Sequence, residues 1–130
     1  MDEADGAMTF DAATLSRLRE AREVAIETTS PAGVIHQAVI WIVGDERDAY
    51  VRSVRGERGR WYRELRDQSE GALWLGDERI PVRAVAAADP DSIKLVSYLF
   101  EAKYGRRSRA STQSMLLPET LPTTMRLEPG

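Results

Sequence analysis

Three strand-like runs follow one another between Val24 and Val54, separated by turn signals alone. Val24, Ile26 and Thr28 alternate with Ala25 and Glu27, which predicts a strand with one buried face. Ser30-Pro31-Ala32-Gly33 turns the chain. Val34 to Val43 contains Ala-Val-Ile-Trp-Ile-Val, apolar and β-branched enough to predict a strand buried on both faces. Gly44 to Asp48 is a second turn, and Ala49 to Val54 a third strand. A parallel sheet needs a crossover of a dozen or more residues between its strands, and these connections are too short for one. The element order therefore points to an antiparallel sheet.

The remaining elements agree. Thr9 or Asp11 caps a helix running to about Ala21, with Leu15 and Leu18 at helical spacing. Arg60 to Arg66 reads as a helix with Trp61 and Leu65 on one face. Ala72–Leu75 and Arg79–Ala87 form a hairpin around Gly76-Asp77-Glu78. Asp89 caps a helix that carries Pro90 in its first turn and ends at Gly105. Arg106 to Ser114 reads as a polar, basic loop, Pro118 to Pro122 as extended chain, and Thr123 to Leu127 as a last strand. The expected fold is mainly β (α+β), a small antiparallel barrel with attached helices. One domain over residues 9–130 is expected, preceded by a disordered N-terminus at 1–8.

Composition removes whole classes of chemistry. There is no cysteine, so disulfides, thiolate metal sites and thiol nucleophiles are excluded. His36 is the only histidine, which argues against a multi-histidine metal site or a Ser–His–Asp triad. No metal is expected. A net charge of −3 argues against nucleic acid as partner. No apolar run approaches the roughly 20 residues of a membrane helix, and the first ten residues are acidic rather than basic, so a cytoplasmic location without membrane contact is expected.

Charge is placed unevenly. Of the 18 basic residues 16 are Arg, a ratio that codon usage alone can produce. Position is more telling: seven Arg lie between Arg47 and Arg66, against only three acids. The segment Tyr50 to Leu65 reads strand, Gly-containing loop, helix start. That arrangement suits an anion. A helix N-terminus offers unpaired N–H groups and about half a positive charge. Gly56 and Gly59 let backbone come close to a ligand. Arg matches phosphate oxygens bidentately, Ser53 carries a hydroxyl, and Trp61 and Tyr62 offer rings for stacking. A second reading stands beside it: Arg58, Arg63 and Arg66 as a solvated helix face, Trp61 as a core anchor, and Arg60 with Glu64 as a surface pair.

At Tyr50-Val-Arg-Ser, the Gly/Arg loop, Arg-Trp-Tyr-Arg-Glu-Leu and the hairpin ending Pro-Val-Arg-Ala, the chain resembles the flavin-binding split β-barrels. These include the pyridoxamine-phosphate-oxidase-like proteins and the deazaflavin-dependent reductases, and the chain looks most like an uncharacterised bacterial subgroup of them. The resemblance spans about Val24 to Leu127 and implies a split barrel, a homodimer, and FMN or deazaflavin as cofactor. It implies that Ser53, Arg58 and Arg60 hold the cofactor phosphate, with Arg52, Arg55 and Gly59 beside them, and the expectation drawn from it is that Arg52, Arg58 and Arg60 grip that phosphate. It places the ring along Val39, Ile40 and Trp41, near Trp61. Two departures stand out. The oxidase pattern's charges are replaced by Gln37 and Ile42, and the reductases' Gly-Arg-Lys-Ser-Gly turn is replaced by Ser-Pro-Ala-Gly.

The leading expectation is a flavin- or deazaflavin-dependent oxidoreductase moving hydride to or from a small molecule of unknown identity. The alternative is a non-catalytic module that binds a phosphorylated ligand or a protein partner. A haem- or nucleic-acid-binding variant is the third, with His36 as the sole possible His ligand to iron. No catalytic acid or base is evident: His36 is either structural or a donor to ring or substrate. Arg106 to Arg109 is either a solvated loop or a contact for an anionic tail.

Overall fold

The computed structural model describes residues 9–130; the segment expected to be disordered, 1–8, lies outside the described residues. Helix α1 (Ala12–Glu20) begins where the Asp11 carboxylate accepts the Thr14 N–H at 2.7 Å, and it buries Leu15 and Leu18. Strands β1 (Val24–Thr29), β2 (Ile35–Ile40), β3 (Val43–Gly44) and β4 (Ala49–Val51) follow. A short 3-10 turn at Gly56–Arg58 leads into α2 (Arg60–Gln68), then β5 (Glu70–Leu75) and β6 (Glu78–Ala86). Helix α3 (Pro90–Tyr104), α4 (Arg109–Ser114), a second 3-10 turn at Leu121–Thr123 and β7 (Met125–Pro129) complete the chain.

The strands form one curled half-barrel sheet in the order β2-β1-β5-β6-β7-β4-β3, with every neighbouring pair antiparallel, so the small α+β split barrel is the observed fold. Two hydrophobic cores lie against it. One gathers Leu18, Ile26, Ile42, Val51, Leu65, Leu73, Val82 and Leu127. The other gathers Val43, Tyr50, Val96, Phe100 and Tyr104. Consecutive residues, Ile42 and Val43 or Tyr50 and Val51, belong to different cores. Successive side chains of a strand point to opposite faces, so the β3–β4 end of the sheet is covered on both.

That division corrects the reading of Val34–Val43. The run is not one doubly buried strand. It is interrupted after Ile40, and its first part, β2, is a sheet edge whose outer face is open: Ile35 is 63% and Val39 68% exposed. Double burial belongs to β4, where all three residues are buried. Hydrophobicity alone cannot tell a strand covered on two sides from one awaiting cover.

Three smaller expectations also change. Residues 109–114 form α4 rather than a loop; the neighbouring Met115 and the buried Thr112 anchor it. Pro118 to Pro122 is not simply extended. Thr120, Thr123 and Thr124 donate their hydroxyls to the carbonyls of Leu117, Thr120 and Leu121 at 2.8, 2.6 and 2.8 Å, closing a turn there. Gly105 follows α3 in right-handed geometry (φ −57°), without the left-handed cap a glycine there suggests.

Candidate cofactor-binding site

Strand β2, the loop after β4 and the start of α2 enclose two adjoining clefts. One, of about 420 Å³, is lined by Thr28, His36, Gln37, Ala38, Val39, Ser53, Val54, Arg55, Gly59, Arg60 and Trp61. The other, of about 280 Å³, shares Val39, Val54 and Trp61 and adds Glu23, Ile40, Trp41, Arg52, Ser111 and Met115. The fold thus brings together Val39, Ile40, Trp41, Arg52, Ser53, Arg55, Gly59, Arg60 and Trp61. Arg58, on the 3-10 turn, lines neither cleft.

Proximity is not availability. Arg52 is 1% exposed. Its Nε donates to Thr124 Oγ1 at 2.9 Å, Nη1 to Ser97 Oγ at 3.1 Å and to the Met115 carbonyl at 3.0 Å, and Nη2 to the Ile93 carbonyl at 3.2 Å. Four of the five N–H groups a guanidinium carries are thereby occupied. The cation also lies 5.5 Å from the Phe100 ring centroid. Burial pushes Arg52 down to about 10, still protonated at neutral pH. Arg52 is therefore a tie between the barrel, α3 and the α4 region, and the expectation that it grips phosphate is corrected.

Ser53 is engaged in the same way. Its N–H donates to Thr123 Oγ1 at 2.9 Å and its hydroxyl to the Gly56 carbonyl at 2.8 Å, so its one hydroxyl proton is already given inward. Gly59 must be glycine for this arrangement, because a Cβ there would stand 2.5 Å from Ser53 Oγ. Gly56 sits at φ +67°, and a Cβ on it would meet the Glu119 carbonyl at 2.8 Å. Gly59→Ala is expected to break the Ser53–Gly56 bond and to destabilise the protein by about 1–3 kcal/mol in urea denaturation.

Arg55 and Arg60 differ. Both are exposed, both line the larger cleft, and neither makes a hydrogen bond or ion pair among the described residues. Beside them, Gly59 gives α2 no side-chain cap. Trp61 is half-buried against the main core while also lining both clefts, so it is core anchor and cleft wall together. Trp41 has one face covered by Tyr104, stacked at 3.8 Å and 8°. Behind that pair, Lys103 Nζ donates to the Ile42 carbonyl at 2.6 Å and is pushed down to about 8 by burial.

One cluster escaped the sequence. Glu64 does not pair with Arg60 on the surface; it is 8% exposed and faces inward. Thr28 Oγ1 donates to its Oε1 at 2.7 Å, and His36 Nδ1 lies 3.2 Å from Oε1 and 3.1 Å from Oε2. The sheet register explains the meeting: Thr28 and His36 are cross-strand partners on β1 and β2, so both side chains point to one face, the face α2 covers. Burial raises a carboxyl, but the bonds from Thr28 and His36 outweigh it and hold Glu64 below the usual carboxylate range. A signal for this existed. Glu64 lies three residues after Trp61 and one before Leu65, on the apolar stripe of α2, where an unpartnered carboxylate would be costly.

Solved structures with the same fold are diverse in what they bind. HutZ, a heme storage protein from Vibrio cholerae, aligns with a TM-score of 0.62 at 15% identity, covering 95% of this chain and 92% of its own. A candidate pyridoxamine 5'-phosphate oxidase from Listeria innocua aligns with a TM-score of 0.58 at 13% identity, over 91% of this chain and 90% of its own. An F420-H2-dependent reductase, FDR-A, aligns with a TM-score of 0.64 at 16% identity, over 82% of this chain and 94% of its own. At such identities the likeness speaks to the fold. No curated protein matches the sequence significantly. Residues 14–127 match the family described as "Uncharacterized protein conserved in bacteria (DUF2255)", and the chain belongs to that family.

Proposed function

We propose that the paired clefts hold a planar, phosphate-bearing redox cofactor, FMN or a deazaflavin, and that the protein is an oxidoreductase moving hydride to or from a small molecule. One observation carries this reading. Two unpaired arginines, Arg55 and Arg60, adjoin an apolar wall made by Val39, Val54 and Trp61. Charge at one end and a flat apolar surface at the other fit a phosphate and a ring. Arg60 and Arg55 would hold the phosphate beside the uncapped first turn of α2. Val39 and Ile40 of β2, with Trp41, would pack the ring. The cofactor supplies the hydride chemistry, and the protein orients it and excludes water. The fold neighbours support a ligand-binding barrel and leave the cofactor to experiment.

The test is spectroscopic. FMN, a deazaflavin and hemin are added separately to purified protein. Quenching of flavin or deazaflavin fluorescence with saturable, micromolar binding is the expected result. If both stay unbound while hemin gives a Soret shift, the site is a haem site instead. Binding of FMN without reduction of any electron-accepting dye leaves a non-catalytic module for a phosphorylated ligand.

A homodimer belongs to the same proposal. Val34, Ile35, Val39 and Val54 are each more than half exposed, an apolar edge beside the cleft. Light scattering is expected to report twice the chain mass of 14.6 kDa, and Val39→Glu to shift it toward the monomer. Among the described residues no helix is long and apolar enough to cross a membrane.

A further inference from the structure

We propose that the larger cleft takes up its anionic ligand together with a proton on His36, which Glu64 holds by Nδ1 so that Nε2 is left for the ligand. This deepens the reading of the cleft as a phosphate site and rests on it.

The geometry is specific. An ionised carboxylate only accepts, so the 3.1 and 3.2 Å contacts from Glu64 require a proton on His36 Nδ1. Thr28 donates to the same carboxylate and fixes it from β1. In neutral imidazole the other nitrogen, Nε2, is then an acceptor; in imidazolium it is a donor. Nε2 makes no hydrogen bond among the described residues, the side chain is 26% exposed, and His36 lines the cleft that Arg55 and Arg60 also line.

Charge decides the sign. The groups facing His36 are Glu64 and Arg60 from α2 and Arg55 from the preceding loop; from β1 the facing residue is the neutral Thr28. Glu27, the acidic neighbour on β1, is turned to Trp74 and Arg79 on the other side. Glu64 already takes the Nδ1 proton, and Arg55 and Arg60 line the same cleft as His36. A dianionic phosphate held by the two arginines would bring negative charge beside the ring and accept from Nε2–H. Binding should therefore draw a proton onto His36 by ordinary linkage: one proton is taken from solvent, and it returns when the ligand leaves.

A single histidine makes the experiment clean, because the imidazole C2–H resonance needs no assignment. Its pH titration is followed by proton NMR without ligand, with FMN, and separately with inorganic phosphate, in wild type and Glu64→Gln, and FMN affinity is measured against pH in both and in His36→Gln, which has no imidazole left. The expected result is a rise of about one unit or more in the His36 midpoint when either anion binds. FMN affinity should then rise several-fold from pH 8 to pH 6 in wild type. In His36→Gln that gain should vanish and reverse, since the phosphate's own second pKa near 6 lowers its charge in acid. Glu64→Gln should lower the midpoint with and without ligand, a change that a histidine held for packing alone would not pass on to FMN affinity.

The outcomes separate the two readings. FMN that binds without moving the His36 midpoint overturns the proposal and leaves the cofactor reading standing. FMN that fails to bind while phosphate moves the midpoint leaves the proposal standing and removes the flavin. If neither anion moves the midpoint, the proposal falls.

Discussion

Arg52→Ala is expected to lower stability by about 3–5 kcal/mol, enough to leave a marginal domain partly unfolded at 37 °C. The truncation removes four hydrogen bonds, to Thr124 Oγ1, Ser97 Oγ and the carbonyls of Ile93 and Met115, and opens a cavity where the buried side chain stood. Hydrogen bonds to charged groups contribute about 1.5–3 kcal/mol each, and an orphaned buried acceptor adds about 1–3. Part of this relaxes: Thr120 Oγ1 stands 2.9 Å from the Met115 carbonyl and can turn its proton from Leu117 to it, and the freed hydroxyls can rotate. Arg52→Lys should recover only a minor fraction, because a point ammonium cannot reach four acceptors arranged around a planar fork. Urea denaturation with far-UV circular dichroism measures both. A variant that melts within about 1 kcal/mol of wild type but no longer binds FMN would return Arg52 to the ligand.

Arg55→Ala/Arg60→Ala makes the opposite trade. It should weaken FMN binding about 10²- to 10⁴-fold and leave the melting curve unchanged, since each charge-assisted contact to phosphate contributes about 1.5–3 kcal/mol. Both side chains are exposed and make no hydrogen bond or ion pair among the described residues, so the fold loses little beyond the weak attraction of Arg60 for Glu64. Arg58→Ala is the control; lying outside both clefts, it should shift affinity by less than about threefold. Fluorescence titration at two salt concentrations separates these variants, with the salt dependence weakest in the double mutant. Equal losses in both variants would instead indicate a diffuse basic surface, the solvated-face reading of this segment.

The difference between Arg52 and Arg60 shows what was legible and why. Both stand in one Gly- and Arg-rich segment, and both have the chemistry of a phosphate ligand. Nothing local separates them. The four partners of Arg52 lie 41 to 72 residues further along the chain, on α3, after α4 and before β7. The same holds for Val39 and Val51, equally apolar in sequence, one at 68% exposure and the other at 0%. Which strand becomes an edge depends on the order of pairing across the whole sheet.

Short-range physics set much of the rest. The caps at Asp11 and Asp89, the period-two burial of β1, the β5–β6 turn and the α2 start are each decided within a few residues, by capping bonds, strand alternation and turn conformations. Those local rules made the sheet antiparallel and put the Gly/Arg loop at a helix start. Tertiary structure decided the rest: that Arg52 and Ser53 face inward, that Arg55 and Arg60 stay free, and that His36, Thr28 and Glu64 meet. The reason is physical. Register brings His36 beside Thr28, and packing lays α2 over them, so a carboxylate excluded from water finds its two donors only once the barrel has formed.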